Sequence, residues 1–389
     1  MLKKLKFYFA FGFCMLYSFC FAQISTQLAP GINQNNKDLM EVFEVWEAYL
    51  ANHPDQPNNS PNWNLKEKDT YISYDLLHSH GFLNPGLYAF QTDNVVLYIK
   101  QIEDCYIIYS QFYWLADGLM NPLAITKVVA KKDDSGKFKL HNWLPVYTKN
   151  WTSTQFENLN YIYPSTFNLK TEEAKKANQF VNRLIEYFDI KPKKIDYYIF
   201  EDCDHLFQST GFEYVISMGS IPNQCAFFDD QNHIVYTTKD AGVFHKHELI
   251  HLINTKYPKA HPLLLSGLSV YTNSENSSMG KPFLYHIKKL NHRFTSDPTI
   301  KLTNWNGLSN QDNITEPFYF LGAIICDLIL EKGGLDLLKK ALNSIQSDDD
   351  LLHFAEVELG YSKAKLNRRM KERFEKIALS NQLNFHLKF

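Results

Sequence analysis

The sequence lacks the features that assign a chain to a class early. No internal repeat or low-complexity tract is visible, which sets repeat architectures aside. Cysteine is scarce, with six in 389 residues. Cys14 and Cys20 lie in an N-terminal apolar run, leaving Cys105, Cys203, Cys225 and Cys326 for the body of the protein. Four cysteines make no disulfide scaffold, and none shows C-x-x-C spacing, so a cysteine zinc site is set aside. Cys203 and Cys225 are the nearest pair in sequence, and Cys326 reads as a buried thiol in an apolar helical run. An excess of either charge is missing too. The 40 basic and 42 acidic residues leave a formal net charge of -2. Loss of Lys3, Lys4 and Lys6 with a leader makes the balance more negative, and nothing in it invites nucleic acid.

Length and aromatic content are what the chain has. It has room for two or three domains and a well-buried core, and aromatics make up 15% of its residues. Residues 1–22 read as a signal peptide: Lys3, Lys4 and Lys6 form a basic start, and Phe7 to Phe21 an apolar core ending at Ala22-Gln23. That core is short for a membrane span. Phe19, before Cys20, is not the small residue a lipoprotein needs. The expectation is cleavage after Ala22 and a periplasmic or secreted protein without a transmembrane segment, a retained N-terminal anchor being the alternative.

The fold class expected is α+β in two domains, 23–165 and 166–389. Asp38 to Leu50 has the 3.6-residue period of a helix, through Leu39, Val42, Phe43, Trp46 and Leu50. His53 to Trp63 reads as a loop, and from about Tyr71 to Pro145 the pattern changes to strands. Asn94 to Gln101, Tyr106 to Trp114 and Ile125 to Lys131 are rich in β-branched and aromatic residues. A hairpin turn follows over Lys132–Lys137, before Phe138 to Trp143. One helix on a curved antiparallel sheet suits this region, which loosely resembles cone-shaped domains of the nuclear-transport-factor-like type. The aromatic strands line a pocket or pack a core, and no ligand can be named from fold alone. Thr152 to Ser165 lacks periodicity and reads as a boundary. Thr171-Glu172-Glu173 opens a helix with a capping residue and early acids, and Ile195 to Phe200 is a strand.

The motif that carries chemistry is His247-Glu248-Leu249-Ile250-His251, an H-E-x-x-H pattern in a helical run. Residues four apart share a helix face, so both imidazoles can reach one ion. Glu248 stands roughly 100° round the helix, where a carboxylate can meet metal-bound water without ligating. Leu249, Ile250, Leu252 and Ile253 cover the other side. The chemistry implied is hydrolysis: zinc acidifies a water and Glu248 takes its proton. The competing reading is a pair of histidines satisfied within the core. His245, on another face, reads as a surface or supporting group.

From about Ile195 onward the chain resembles the gluzincin-type zinc metallopeptidases, specifically exported bacterial proteins of the peptidase MA-like group. The carrying elements are strand Ile195–Phe200, helix Cys203–Thr210, Gly211-Phe212-Glu213-Tyr214, strand Asn232 to Thr237 and the H-E-x-x-H helix. The resemblance implies that His247 and His251 hold zinc, that Glu248 is the general base, and that strand Asn232–Thr237 borders the cleft and pairs with a peptide substrate. It also implies a second helix, Leu263 to Tyr271, bearing a glutamate as third ligand. Ser266 stands at that place, and a hydroxyl is a poor zinc ligand. Glu275 is the nearest downstream carboxylate. Three states are open: zinc completed by Glu275, zinc held weakly with water, or no metal. Without turnover the protein is a peptide-binding or scaffolding homologue. Tyr319, in the apolar helix Phe318–Cys326, is implied to stabilise the oxyanion, a core role being its alternative. A helix from Gly280 through Leu290 is expected, and Gly333-Gly334 stops the Tyr319 helix. The remainder reads as helical scaffold with a solvated face at Lys363–Lys376. Oligomeric state cannot be read.

The leader generates the first prediction. Mass spectrometry of the mature native protein should find an N-terminus at Gln23; an intact Met1 would restore the retained-anchor alternative.

Overall fold

A computed structural model describes residues 25–51, 60–67, 70, 92–216, 218, 225–273, 277–278, 281–309, 312 and 314–380. The expected signal peptide and Glu275 lie outside the described residues, as does the segment 71–91 where strands were expected to begin. Among the described residues no helix is long and apolar enough to cross a membrane.

Two compact units divide the chain: Met1–Lys149 with Cys203–Pro222, and Asn150–Asp202 with Asn223–Phe389. Boundaries at 149/150, 202/203 and 222/223 thus stand where a single break at 165/166 was expected. The reason lies in strand pairing, described for each unit in turn.

In the first unit β1 (Thr26–Leu28) pairs parallel to β2 (Asp93–Ile102). β3 (Cys105–Ala116), β4 (Leu119–Lys132) and β5 (Phe138–His141) follow antiparallel in order. Asp117 and Gly118 both take positive φ, 52° and 74°, as a tight turn between β3 and β4 requires. At the next turn Asp133 Oδ1 accepts from the backbone N–H groups of Ser135 and Lys137, in line with the expected hairpin. Helix α1 (Lys37–Leu50) buries Val42, Phe43, Trp46, Tyr49 and Leu50, the helical face its periodicity marks. The Trp46 indole donates to Asn94 Oδ1 at 3.0 Å, so its one polar atom is satisfied in the core. The short helices α2 (Leu144–Tyr147) and α4 (Cys203–Ser209) belong here, and β9 (Phe212–Val215) pairs with Ala124–Thr126 of β4. That pairing draws residues 203–222 into the first unit.

The second unit is built on a five-stranded sheet of order β10-β11-β8-β7-β6. β6 (Thr152–Gln155) and β7 (Leu159–Tyr163) form a hairpin in the stretch expected to be a boundary. The period-2 burial of β7 is short, and β6 is polar and mostly exposed, which hid both. Helix α3 (Thr171–Phe188) crosses from β7 to the parallel β8 (Ile195–Phe200). Its N-cap is Lys170 with no side-chain hydrogen bond, so Thr171 is the first helical residue rather than the cap. β10 (Ala226–Asp229) turns back into β11 (Ile234–Thr238), which pairs with β10 on one side and β8 on the other. The strand expected to border a cleft is therefore interior. Both of its hydrogen-bonding edges are used, and the edge strand is β10.

Helices complete this unit: α5 (Lys246–Ile250), α6 (Leu252–Lys256), α7 (Pro262–Thr272), α8 (Phe283–Ser296), α9 (Pro317–Ser344), α10 (Asp348–Phe354) and α11 (Lys363–Ser380). α8 begins at Phe283, later than the Gly280 expected. At Gly333 and Gly334 the backbone leaves helical φ/ψ, so these residues break α9 in two. α7 and α9 cross at Gly267 and Gly322. A Cβ on Gly267 would meet the Gly322 carbonyl carbon at 2.1 Å, and one on Gly322 would meet the Leu263 carbonyl oxygen at 2.0 Å. Behind this crossing, buried Asp327 of α9 accepts from Tyr271 of α7 at 3.1 Å and from Arg373 of α11 at 3.1 Å. Arg373 also pairs with Glu331. A buried cation with two carboxylate partners tolerates no loss of the inner one.

Two substitutions test this packing. Gly322→Ala should lower stability by about 2–3 kcal/mol through backbone overlap, roughly 5–10 °C in Tm. Asp327→Ala should cost about 3–5 kcal/mol by stranding the Arg373 guanidinium. Thermal melts reading either as neutral would show that the crossing, or the ion pair, does not constrain the fold.

Candidate functional site

The sheet holds the start of the motif helix by its tyrosines. Tyr161 of β7 donates to the Val243 carbonyl at 2.8 Å, and Tyr197 of β8 to the Gly242 carbonyl at 3.0 Å. The His245 N–H donates back to the Tyr197 hydroxyl at 3.3 Å. Gly242 has φ 85°, a conformation open to glycine, and so lets the chain turn from β11 into α5. The helix is not uniform. His251 has ψ -9° and its N–H bonds to the Glu248 carbonyl at 3.1 Å, so the turn tightens there before α6 resumes.

The break leaves the two motif histidines close together. The rings of His247 and His251 lie 5.3 Å apart, centroid to centroid, at 75°. Burial pushes His247 down to about 3, with the neighbouring imidazoles of His251 and His245 adding to it. Burial likewise lowers His245 to about 4, and His251 as well. All three are therefore neutral at pH 7, the form in which imidazole ligates a metal. The Asn254 amide lies 3.3 Å from His251 Nδ1. That contact, made by the amide Nδ2, holds the orientation of the His251 ring.

Glu248 is buried, with 7% of its surface exposed. Burial lifts its carboxyl to about 7, opposed by a hydrogen bond from the Phe228 backbone N–H. Phe228 belongs to β10, so the carboxylate stands against the sheet's edge strand. His245, expected at the surface or in support, is half-buried, its Nδ1 3.9 Å from Glu248 Oε1. The structure thus gathers His245, His247, Glu248 and His251 on one short segment.

From α7 the side chain that meets this group is Ser269, three residues beyond Ser266. Its Oγ is 3.5 Å from His247 Nε2 and donates to the Ser266 carbonyl at 2.7 Å. Ser266 instead lines a cavity of about 480 Å³, together with Trp305, Leu308, Glu316, Phe318 and Tyr319. Tyr319 is pushed above the ordinary tyrosine range by burial and by the charges of Glu316 and Glu248. Its phenol is therefore protonated and within electrostatic reach of the motif. Among the described residues no group of three Asp, Glu, His or Cys side chains is arranged to hold a metal. His247 and His251 are the two imidazoles brought together, and the α7 side chain that meets them, Ser269, is a neutral hydroxyl. Elsewhere, Cys203 and Cys225 are disulfide-bonded, and Cys105 and Cys326 are free and buried.

Ser269, Asn254 and Glu316 escaped the sequence reading. Ser269 was legible as the i+3 neighbour of Ser266, and Asn254 as the i+3 neighbour of His251, on faces the helices share. Glu316 had only its place before Pro317, a helix-start signal with no chemistry attached.

No protein family matches the chain, and no curated protein matches it. Among solved structures it is similar to an M1 zinc metallopeptidase from Deinococcus radiodurans, at 14% identity and a TM-score of 0.34. It is also similar to the E323A mutant of a two-domain M1 zinc metallopeptidase bound to L-arginine, at 14% identity and a TM-score of 0.33. Each alignment covers 72% of this chain and 63% of the other, so the chain spans less than two thirds of those proteins' length.

The buried ionisable groups set a pH test of the metal-free protein. Glu248, raised from 4.5 to about 7, stabilises the fold fully below pH 4.5 and loses that contribution as pH rises through 7, on the order of 3 kcal/mol. The histidines act oppositely: their contribution is present above pH 6.5 and lost as pH falls toward 3–4. Glu248→Gln should therefore raise Tm relative to wild type at pH 8 and leave it nearly unchanged at pH 5. Parallel melting curves at the two pH values would contradict the burial of this carboxyl.

Proposed function

We propose that this protein is an exported metallopeptidase-like hydrolase that cuts peptide bonds, with Glu248 as its general base. The observation that carries the reading is a buried carboxyl tuned to about 7 beside two neutral imidazoles on one helix. A base with that affinity for protons can take one from water and return it to a leaving amine near neutral pH. His247 and His251 would hold the zinc ion. When bound, zinc acidifies a water and polarises the substrate carbonyl.

The peptide is taken in extended form along β10, whose outer side is the sheet's edge. Glu248 hydrogen-bonds to Phe228 on that strand, so a backbone laid there passes the base. Tyr319, a protonated phenol near Glu248, serves as donor to the oxygen that gains charge as the carbonyl is attacked.

A second reading rests on Ser266 and Ser269. With hydroxyls where the resemblance implies a carboxylate ligand, a protein that binds peptides in the same cleft without turnover uses the same surfaces. Both readings assign the peptide the same path, and they differ in whether bonds break.

Elemental analysis after dialysis, with a peptide-hydrolysis assay, separates them. The hydrolase reading expects zinc in the wild type, its loss in His247→Ala, and retained zinc without turnover in Glu248→Gln. Unchanged turnover in Glu248→Gln would refute the mechanism. Peptide binding without turnover in the wild type would select the second reading.

A further inference from the structure

The cavity beside the motif has a chemistry that neither the zinc position nor the general base uses. Among the described residues that line it, only Glu316 carries a charge, with no Lys, Arg or His beside it. Glu316 is the N-cap residue of α9, yet its side chain caps no backbone N–H of that helix. Among the described residues no salt bridge involves it. The rest of its described lining is the rings of Trp305, Phe318 and Tyr319 with Leu308, and the polar side chains of Ser266 and Asn306. A carboxylate at the rim of an aromatic chamber attracts a cation by charge and by the ring faces together.

The walls are fixed before any ligand arrives. Asp348 accepts from the Trp305 indole at 2.7 Å and from the Asn306 amide at 3.1 Å. His261 Nδ1 accepts from the Leu263 N–H at the start of α7, so its Nε2–H donates to Asp348, at 3.0 Å. One carboxylate thus ties the Trp305 wall to the helix that carries Ser266. The cleft opens widely to solvent, and at about 480 Å³ it has room for a long stem as well as a charged tip. Lysine and arginine side chains have that form, an apolar stem with a cationic end.

We infer that this cavity is a specificity pocket for a lysine or arginine side chain of the bound peptide, with Glu316 as the counter-charge. The inference rests on the peptide-binding part of the proposed function and names the substrate feature that the site selects. Tyr319 links the two, since it lines the pocket and lies within the field of Glu248.

The test is equilibrium binding by titration calorimetry, which reads the pocket whether or not bonds break. Glu248→Gln protein is used so that the peptides survive the titration. Four peptides of one sequence carry lysine or norleucine at a single position, each with a free or an acetylated N-terminus. The lysine peptides should bind about tenfold more tightly than their norleucine partners, irrespective of acetylation. Adding Glu316→Gln should remove that preference, and Glu316→Lys should reverse it. Glu316 is partly exposed and caps nothing, so Gln keeps its shape without loss of a structural bond. Equal binding of lysine and norleucine peptides overturns the inference while leaving peptide binding intact. A preference that follows the free N-terminus instead of lysine overturns it too. Absence of binding by all four overturns it together with the peptide-binding reading.

Discussion

The close crossing of α7 and α9 is the constraint on which the second unit's site depends. Each helix contributes one side of the working surface, Ser266 and Ser269 from α7, Glu316 and Tyr319 from the start of α9. Their backbones can approach this closely only because Gly267 and Gly322 meet without side chains. Helix pairs normally stand 8–10 Å apart, with the contact residues setting the distance. A spacer of even one methyl group would push Tyr319 away from the motif helix. The Asp327–Arg373 pair, with Tyr271 as third member, holds the same two helices from the far side. A neutral hydroxyl surface beside two histidines is therefore the consequence of packing that leaves little freedom to rearrange.

Burial explains the electrostatics of the motif with few additional terms. Leu249, Ile250, Leu252 and Ile253 are almost fully buried, and the polar stripe between them goes into the interior with them. Taking an imidazole or a carboxyl out of water favours its neutral form. The histidines lose their proton affinity and the glutamate gains it, with no opposing charge needed. One physical cause thus keeps the imidazoles neutral and raises the proton affinity of the carboxyl toward neutral pH.

Much of this was legible in the sequence, and the failures have identifiable causes. Helices α1 and α3 stood where periodicity placed them, strands β2, β3 and β8 where β-branched and aromatic residues did, and α7 where the resemblance implied a helix. β6, β9 and β10 were missed: each is four residues, too short for an alternation to rise above its surroundings. Missing β10 had a functional cost, because it made β11 look like the edge. The two compact units divide the chain at other points than the expected 165/166, since which sheet a short strand joins is decided by tertiary pairing. At the site, the sequence named His247, Glu248, His251 and Tyr319. It could not show that Ser269 meets His247 while Ser266 faces a cavity, because that depends on how α7 is rotated about its axis.

The excursion of residues 203–222 has a consequence for dissecting the protein. β8 and β11 are neighbours in one sheet, but between them the chain leaves to give β9 to β4 and then returns. The second unit is thus a host interrupted by a guest segment that completes another unit's sheet. No single cut separates the two: a break at 165/166 strands β6 and β7 on the wrong fragment, and one at 149/150 deprives β4 of β9. Excising 203–222 with a short bridging linker keeps every pairing of the second unit's sheet, at the expense of β9 in the first. Expression of either half as an autonomous fragment therefore has to begin from a rewired connection and not from a truncation.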